Sequence, residues 1–122
     1  MSDARVRLGR RGEDLAAARL TELGYTLVGR NYRCAHGELD LIARLGDVWV
    51  FVEVRTRRGS RFGTPEESIT PRKQAHLIAA AQHYLQAHAL AEVPWRIDAV
   101  VIAIGPGGQV DRLDVIENAV SG

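Results

Sequence analysis

The chain has 122 residues, 46% hydrophobic and 25% charged, with 16 basic and 15 acidic side chains. This is the length and balance of one ordinary globular domain, residues 1–122, and it argues against disorder. No apolar run approaches the roughly 20 residues of a membrane span, the first residues lack a signal peptide's apolar stretch, and the lone Cys34 allows neither an internal disulfide nor a CxxC zinc site, so the chain reads as soluble and cytoplasmic, away from the membrane.

In chain order, residues 8–23 carry Ala16, Ala17, Leu20 and Leu23 at helical spacing, and Gly24 stands where such a helix would end. Tyr25 to Asn31 alternates weakly and predicts a short strand, followed by a turn from Arg33 to Gly37. Glu38 to Leu45 and Val48 to Arg55 are strands separated by Gly46-Asp47, a Gly-first pair suited to a type II′ hairpin. Such a loop pairs Leu45 with Val48 and, counting back, Asp40 with Glu53. Strand alternation then gives one aliphatic face: Leu39, Leu41, Ala43 and Leu45 with Val48, Val50, Val52 and Val54. The other face has Ile42 and Phe51 beside Asp40 and Glu53, which predicts a helix covering it. Residues 56–70 read as loop. A second helix runs from Pro71 to Ala89, with Thr70 as N-cap and Ile78, Ala81, Leu85 and Ala89 as its apolar face. Strands follow at Trp95 to Ile104 and Val110 to Ile116, around a Gly105-Pro106-Gly107-Gly108 turn. The order αβββαββ predicts an α/β fold, a mixed central sheet flanked by helices.

Asp40 and Glu53 are the residues that need a reason. The hairpin count places them as a non-hydrogen-bonded pair, with Cα atoms about 4.5 Å apart. Like charges directly opposite one another destabilise a sheet, so something positive belongs between them. Two convergent carboxylates suit Mg²⁺ or Mn²⁺, which take one or two carboxylates together with waters and phosphate oxygens. Arg55 lies on the same face, opposite Glu38, where it either stabilises charge on a phosphate or ties Glu38 and Glu53 into a plain ion network. Glu13 shares the face of Ala16, Ala17 and Leu20; it either heads a buried stripe toward the site or simply favours the helix dipole. Lys73, in the first turn of the second helix, is opposed by that dipole, which leaves room for an anion beside it. Arg72 and Gln74 make a polar cluster with it. The four histidines read as structural, and no serine or cysteine has the partners of a nucleophile.

Charge is uneven. Residues 1–73 hold 14 Lys/Arg against 10 Asp/Glu, and residues 74–122 hold 2 against 5. Arg55, Arg57, Arg58 and Arg61 fall in seven positions without an acid. Such a run is either a footprint for a polyanion or a solvated loop.

Gly37-Glu38-Leu39-Asp40-Leu41-Ile42, followed by Phe51-Val52-Glu53-Val54-Arg55, resembles the core of the PD-(D/E)XK nuclease superfamily. The nearer resemblance is to the YraN-type family of small bacterial proteins, related in fold to archaeal Holliday-junction resolvases. It extends over nearly the whole chain through Gly12-Glu13, Ala17, Leu20, Gly24-Tyr25, Asn31, Gly63, Lys73-Gln74 and the run Arg96 to Val100. The resemblance implies a single nuclease-like domain with a restriction-endonuclease-like core, and Asp40 and Glu53 as ligands of Mg²⁺ or Mn²⁺. It also implies that Glu13 completes or orients the site, and that Arg55 stands at the superfamily's lysine position. Arginine, with a pKa above about 12, is a poor general base, so Lys73 is the candidate for the missing ammonium.

Three functions follow as expectations. The first is a metal-dependent endonuclease of DNA, with Asp40, Glu53, Arg55, Glu13 and Lys73 at the reacting centre and Arg57, Arg58, Arg61, Arg72, Lys73 and Gln74 on the nucleic acid. Little suggests base-specific readout, so branched or structured DNA in repair or recombination is the expected substrate, and a homodimer would fit it. The second is a nucleic-acid-binding accessory module without turnover, and a blander third is a protein-interaction domain.

Overall fold

The computed structural model describes residues 3–59 and 69–120. Among them are two helices and five strands: α1 (Asp3–Glu22), β1 (Thr26–Cys34), β2 (Gly37–Leu45), β3 (Val48–Arg58), α2 (Pro71–Ala87), β4 (Trp95–Ile104) and β5 (Val110–Val120). This is the expected αβββαββ order, and the fold is α/β with a mixed sheet, consistent with a restriction-endonuclease-like core. The strands lie side by side in sequence order. Only β3 and β4 run parallel, as they must when α2 carries the chain across between them. No helix among the described residues is long and apolar enough to cross a membrane.

The sheet separates two cores. On one face Ala16, Ala17 and Leu20 of α1 pack on Leu41, Ala43, Val50, Val52, Val100, Ile102 and Ile104. On the other, Leu77, Ala80, Ala81, Tyr84 and Leu85 of α2 cover Leu39, Ile42, Phe51, Ile97 and Ala99. The helix expected over Ile42 and Phe51 is therefore α2.

α1 begins earlier than its apolar pattern and stops before Leu23, which is 44% exposed rather than part of the stripe. Its end is a Schellman motif. Gly24 takes φ +96°, Gly24 N–H donates to Thr21 O at 3.0 Å, and Tyr25 N–H donates to Leu20 O at 2.9 Å. Near its middle α1 touches the sheet by backbone. A Cβ on Gly12 would fall on the Thr56 side chain of β3, so any larger residue there lifts the helix from the strand.

Three local expectations are corrected. The buried stripe of α2 is rotated from the one read in the sequence. Leu77 and Tyr84 are inside, Ile78 is half-buried, and Ala89 lies exposed beyond the helix end at φ +55°. The rotation seats the Tyr84 ring against Phe51 and Tyr32, with centroids 5.6 and 5.1 Å apart. Second, β1 runs on to Cys34 and β5 to Val120, because both keep a partner strand throughout. Third, Leu39 belongs to the α2 side and not to the aliphatic face. Arg30, paired with Leu41, reaches Asp14 of α1, whereas Tyr32, paired with Leu39, reaches His83 of α2. Both strands thus exchange faces across Asn31 and Asp40, and Asn31 makes the change in the left-handed conformation, φ +54°.

Candidate active site

The β2–β3 hairpin supplies the first two acids. Its Gly46-Asp47 loop has φ +62° at Gly46 alone, as a type II′ turn requires. The register runs as counted from Leu45–Val48 to Leu41–Val52, and the ladder then stops one pair short of Asp40 and Glu53. Continued regularly, Val54 N–H would bond across to Leu39. Instead it donates to the Asp40 carboxylate at 2.8 Å. A side chain has replaced a ladder carbonyl, and the strands part where the acids lie.

Glu53 is buried, 3% exposed, on the α2 side. Two cations neutralise it: Arg55 reaches its Oε2 at 3.4 Å from the same strand, and Lys73 at 3.5 Å from α2. Lys73 arrives there because Thr70 caps the helix, accepting from Lys73 N–H at 3.2 Å, with Pro71 at the first position. Glu38, the alternative partner for Arg55, is bound by Arg33 at 2.6 Å.

Asp40 lies in the gap between the parted strands. Burial and then the Glu53 charge raise its pKa to about 8, against the lowering bond from Val54, and Glu13 adds a weaker push. The crowding of the two acids thus favours the protonated form of Asp40. Glu13, half-buried on α1, is also raised, first by burial, while a hydrogen bond with Asn31 opposes the shift. Composition alone did not flag Asn31. The signal was its left-handed tolerance in mid-strand.

Asp40 and Glu13 line one recess of about 350 Å³ together with Arg55, Thr56 and Arg57. Arg58 and Arg72 are exposed. Gln74 is occupied locally, donating to Ile69 O at 3.1 Å. Arg61, like Gly63, lies outside the described residues. The histidines are elsewhere: the His83 ring meets the Tyr32 hydroxyl at 2.7 Å, and His88 stacks on Tyr84.

Among the described residues no group of three or more His, Cys, Asp or Glu stands close enough to hold a metal by itself. The donors at hand are two hard carboxylates, crowded enough to trap a proton, with Glu13 nearby. That set fits Mg²⁺ or Mn²⁺, which need only one or two protein carboxylates.

A second buried carboxylate, Asp98 of β4, went unread as chemistry. It is fully buried and accepts from Tyr25 Oη at 2.8 Å, Arg96 Nε at 2.9 Å and Asn118 N–H at 2.9 Å. Every bond it makes is internal, which suits a structural role.

Comparison with known proteins gives a family match, close relatives and a weak structural neighbour. The model of the Uncharacterised protein family UPF0102 matches residues 12–102. A UPF0102 protein of Dehalococcoides mccartyi is 42% identical over 120 residues, 98% of each chain, and one from Roseiflexus castenholzii is 47% identical over 121 residues, again 98% of each. Among solved structures, Pyrococcus furiosus SfsA in complex with Ca²⁺ matches at a TM-score of 0.35 and 13% identity, over 96% of this chain and 65% of that one. That score carries no functional weight.

Proposed function

The chain belongs to the family UPF0102, and from that premise we propose that it is a divalent-cation-dependent endonuclease acting on branched or otherwise structured DNA. The observation that carries this reading is the parting of β2 and β3 around Asp40, with Glu53 against it and Arg55 and Lys73 both within 3.5 Å of Glu53. A regular sheet has no use for that arrangement.

In this reading Asp40 and Glu53 hold Mg²⁺ or Mn²⁺, and Glu13 orients the site from α1. The cation, when bound, supplies a positive centre for a phosphate oxygen and makes a bound water more acidic. The remaining work falls to side chains. Asp40 must give up its proton to serve as a ligand, so ligand binding and deprotonation are one event. With Asp40 and Glu53 committed to the cation, Arg55 and Lys73 would be released from Glu53 to face the charge that grows on phosphate. Arg55 keeps its proton throughout and is an electrostatic group only. Arg57, Arg58, Arg61 and Arg72 hold the backbone, which selects for the shape of the DNA rather than its sequence.

Lys73 should matter far more than its neighbour. Lys73→Ala is expected to slow cleavage by about 100-fold, the scale of losing one charge-stabilising donor, while Arg72→Ala weakens binding only slightly. Equal small losses in single-turnover assays would remove Lys73 from the site.

A non-catalytic nucleic-acid-binding module is the competing reading, and the double neutralisation of Glu53 favours it. Labelled duplex, single strand, flap and four-way junction, each incubated with Mg²⁺, Mn²⁺ or EDTA, separate the two. Metal-dependent products that vanish in Asp40→Asn are expected. DNA bound by both proteins but cut by neither would make the chain an accessory module.

A further inference from the structure

We propose that the N-terminal half of α1 is a phosphate rail: a single nucleic-acid strand crosses the helix at Gly9, held at the crossing by Arg5, on one flank by Arg57 and on the other by Arg10. The partner rests on the nuclease reading, which this proposal deepens.

Two recesses flank this part of α1. One, of about 350 Å³, lies toward β3 and includes Asp40 and Arg57. The other, of about 310 Å³, lies toward β1 and β2 and includes Arg10 and Asn31. Arg5, Gly9 and Glu13 line both. These three follow at i, i+4 and i+8, so they stack along one helix face. In this proposal the two recesses serve as the arms of one channel that passes the acids.

Gly9 makes the crossing possible. Nothing lies within 4 Å of where its Cβ would be, so the helix offers bare backbone there and a strand can come down onto Glu13. The charges fit the same path. Arg5 and Arg10 are exposed, and among the described residues neither has a carboxylate in salt-bridge range. Arg19 and Arg30, farther along, are paired with Glu22 and Asp14. Glu13, Asp40 and Glu38 would repel a polyanion from this channel, and the unpaired arginines on its walls offset that repulsion. Each arm is at the small end of the ligand-pocket range, roughly 300 Å³. That is room for one backbone at a time.

The test reads binding apart from cleavage. In EDTA and an Asp40→Asn background, the affinity of the full chain for a labelled mixed-sequence oligodeoxynucleotide is followed from roughly 50 to 200 mM salt. Arg5→Gln with Arg10→Gln should lower the magnitude of the log–log salt slope by about 1.4, two contacts at about 0.7 each on single strands. Arg7→Gln with Arg19→Gln removes the same charge from outside both recesses and should leave the slope unchanged, and matched thermal melts show that all variants fold. An unchanged slope in the first pair, an equal loss in the second, or tighter binding of a blunt duplex would overturn the rail while leaving the nuclease reading standing. No binding of any oligonucleotide by the parent protein would overturn both.

Discussion

Asparagine at position 40 should make the metal-free protein more stable than wild type at pH 8, with the advantage gone at pH 4. In the unfolded chain an aspartate titrates near 3.9. In the fold, burial and the Glu53 charge hold Asp40 protonated up to about 8. The folded state therefore binds a proton that the unfolded state gives up. The resulting stability is complete below the unfolded value and is lost as pH rises through the folded one. Wild type should weaken steadily between about pH 4 and 8 on this account. Asparagine stays neutral throughout, still accepts from Val54 N–H, and can donate to Glu53. Even about 1 kcal/mol moves Tm by roughly 3–6 °C in a chain of this size. Thermal melts in EDTA at the two pH values measure it directly. Mg²⁺ or Mn²⁺ should restore wild-type stability at pH 8 by mass action and leave the variant unmoved. A variant no more stable than wild type at pH 8 would mean that the two acids do not burden each other.

The second large effect is purely structural. Asp98→Ala should cost about 3–5 kcal/mol, the usual price of orphaning a buried charge partner. Four donors converge on this carboxylate. Arg96 contributes Nε at 2.9 Å and a second nitrogen at 3.2 Å, beside Tyr25 Oη and Asn118 N–H. Burial, reinforced by Asp98, pushes the Tyr25 hydroxyl up to about 12, so it remains a donor. Alanine would leave Arg96 with only Glu117, at 3.0 Å, and the Tyr25 oxygen at 3.1 Å. Set against a total of about 5–15 kcal/mol for a domain, that is a large fraction. Urea titration should show a lower midpoint at unchanged slope, and a loss under about 1 kcal/mol would contradict the picture of a desolvated anchor.

How far the sequence reaches can be judged from these two aspartates. Asp40 and Glu53 were legible because a two-residue hairpin loop sets a register by counting, and a register says which charges meet. Lys73 was half legible: its capped helix start was plain, but its arrival at Glu53 depends on how α2 docks. Ile78 and Ala89 mislead about that docking, since periodicity alone cannot weigh a tyrosine that packs on four other rings. Asp98 was invisible as chemistry, because its partners come from α1's end, from its own strand and from β5. The sheet irregularities escaped as well. At two places an asparagine in the left-handed region, Asn31 or Asn118, lies near an aspartate that captures a backbone N–H, and nothing local to either sequence stretch announces the pairing.

The contact at Gly12 has a consequence for how this chain tolerates drift. Glu13 is the next residue, and Thr56 is the residue after Arg55. Helix and strand therefore meet at a hinge pin one residue from each of two site groups. Changes of size at Ala16, Ala17 or Leu20 alter the wedge between α1 and the sheet and can tilt the far end of the helix. The tilt pivots on Gly12, so Glu13 beside it moves least. The body of the domain is free to be repacked over many substitutions while the reacting geometry keeps its gauge.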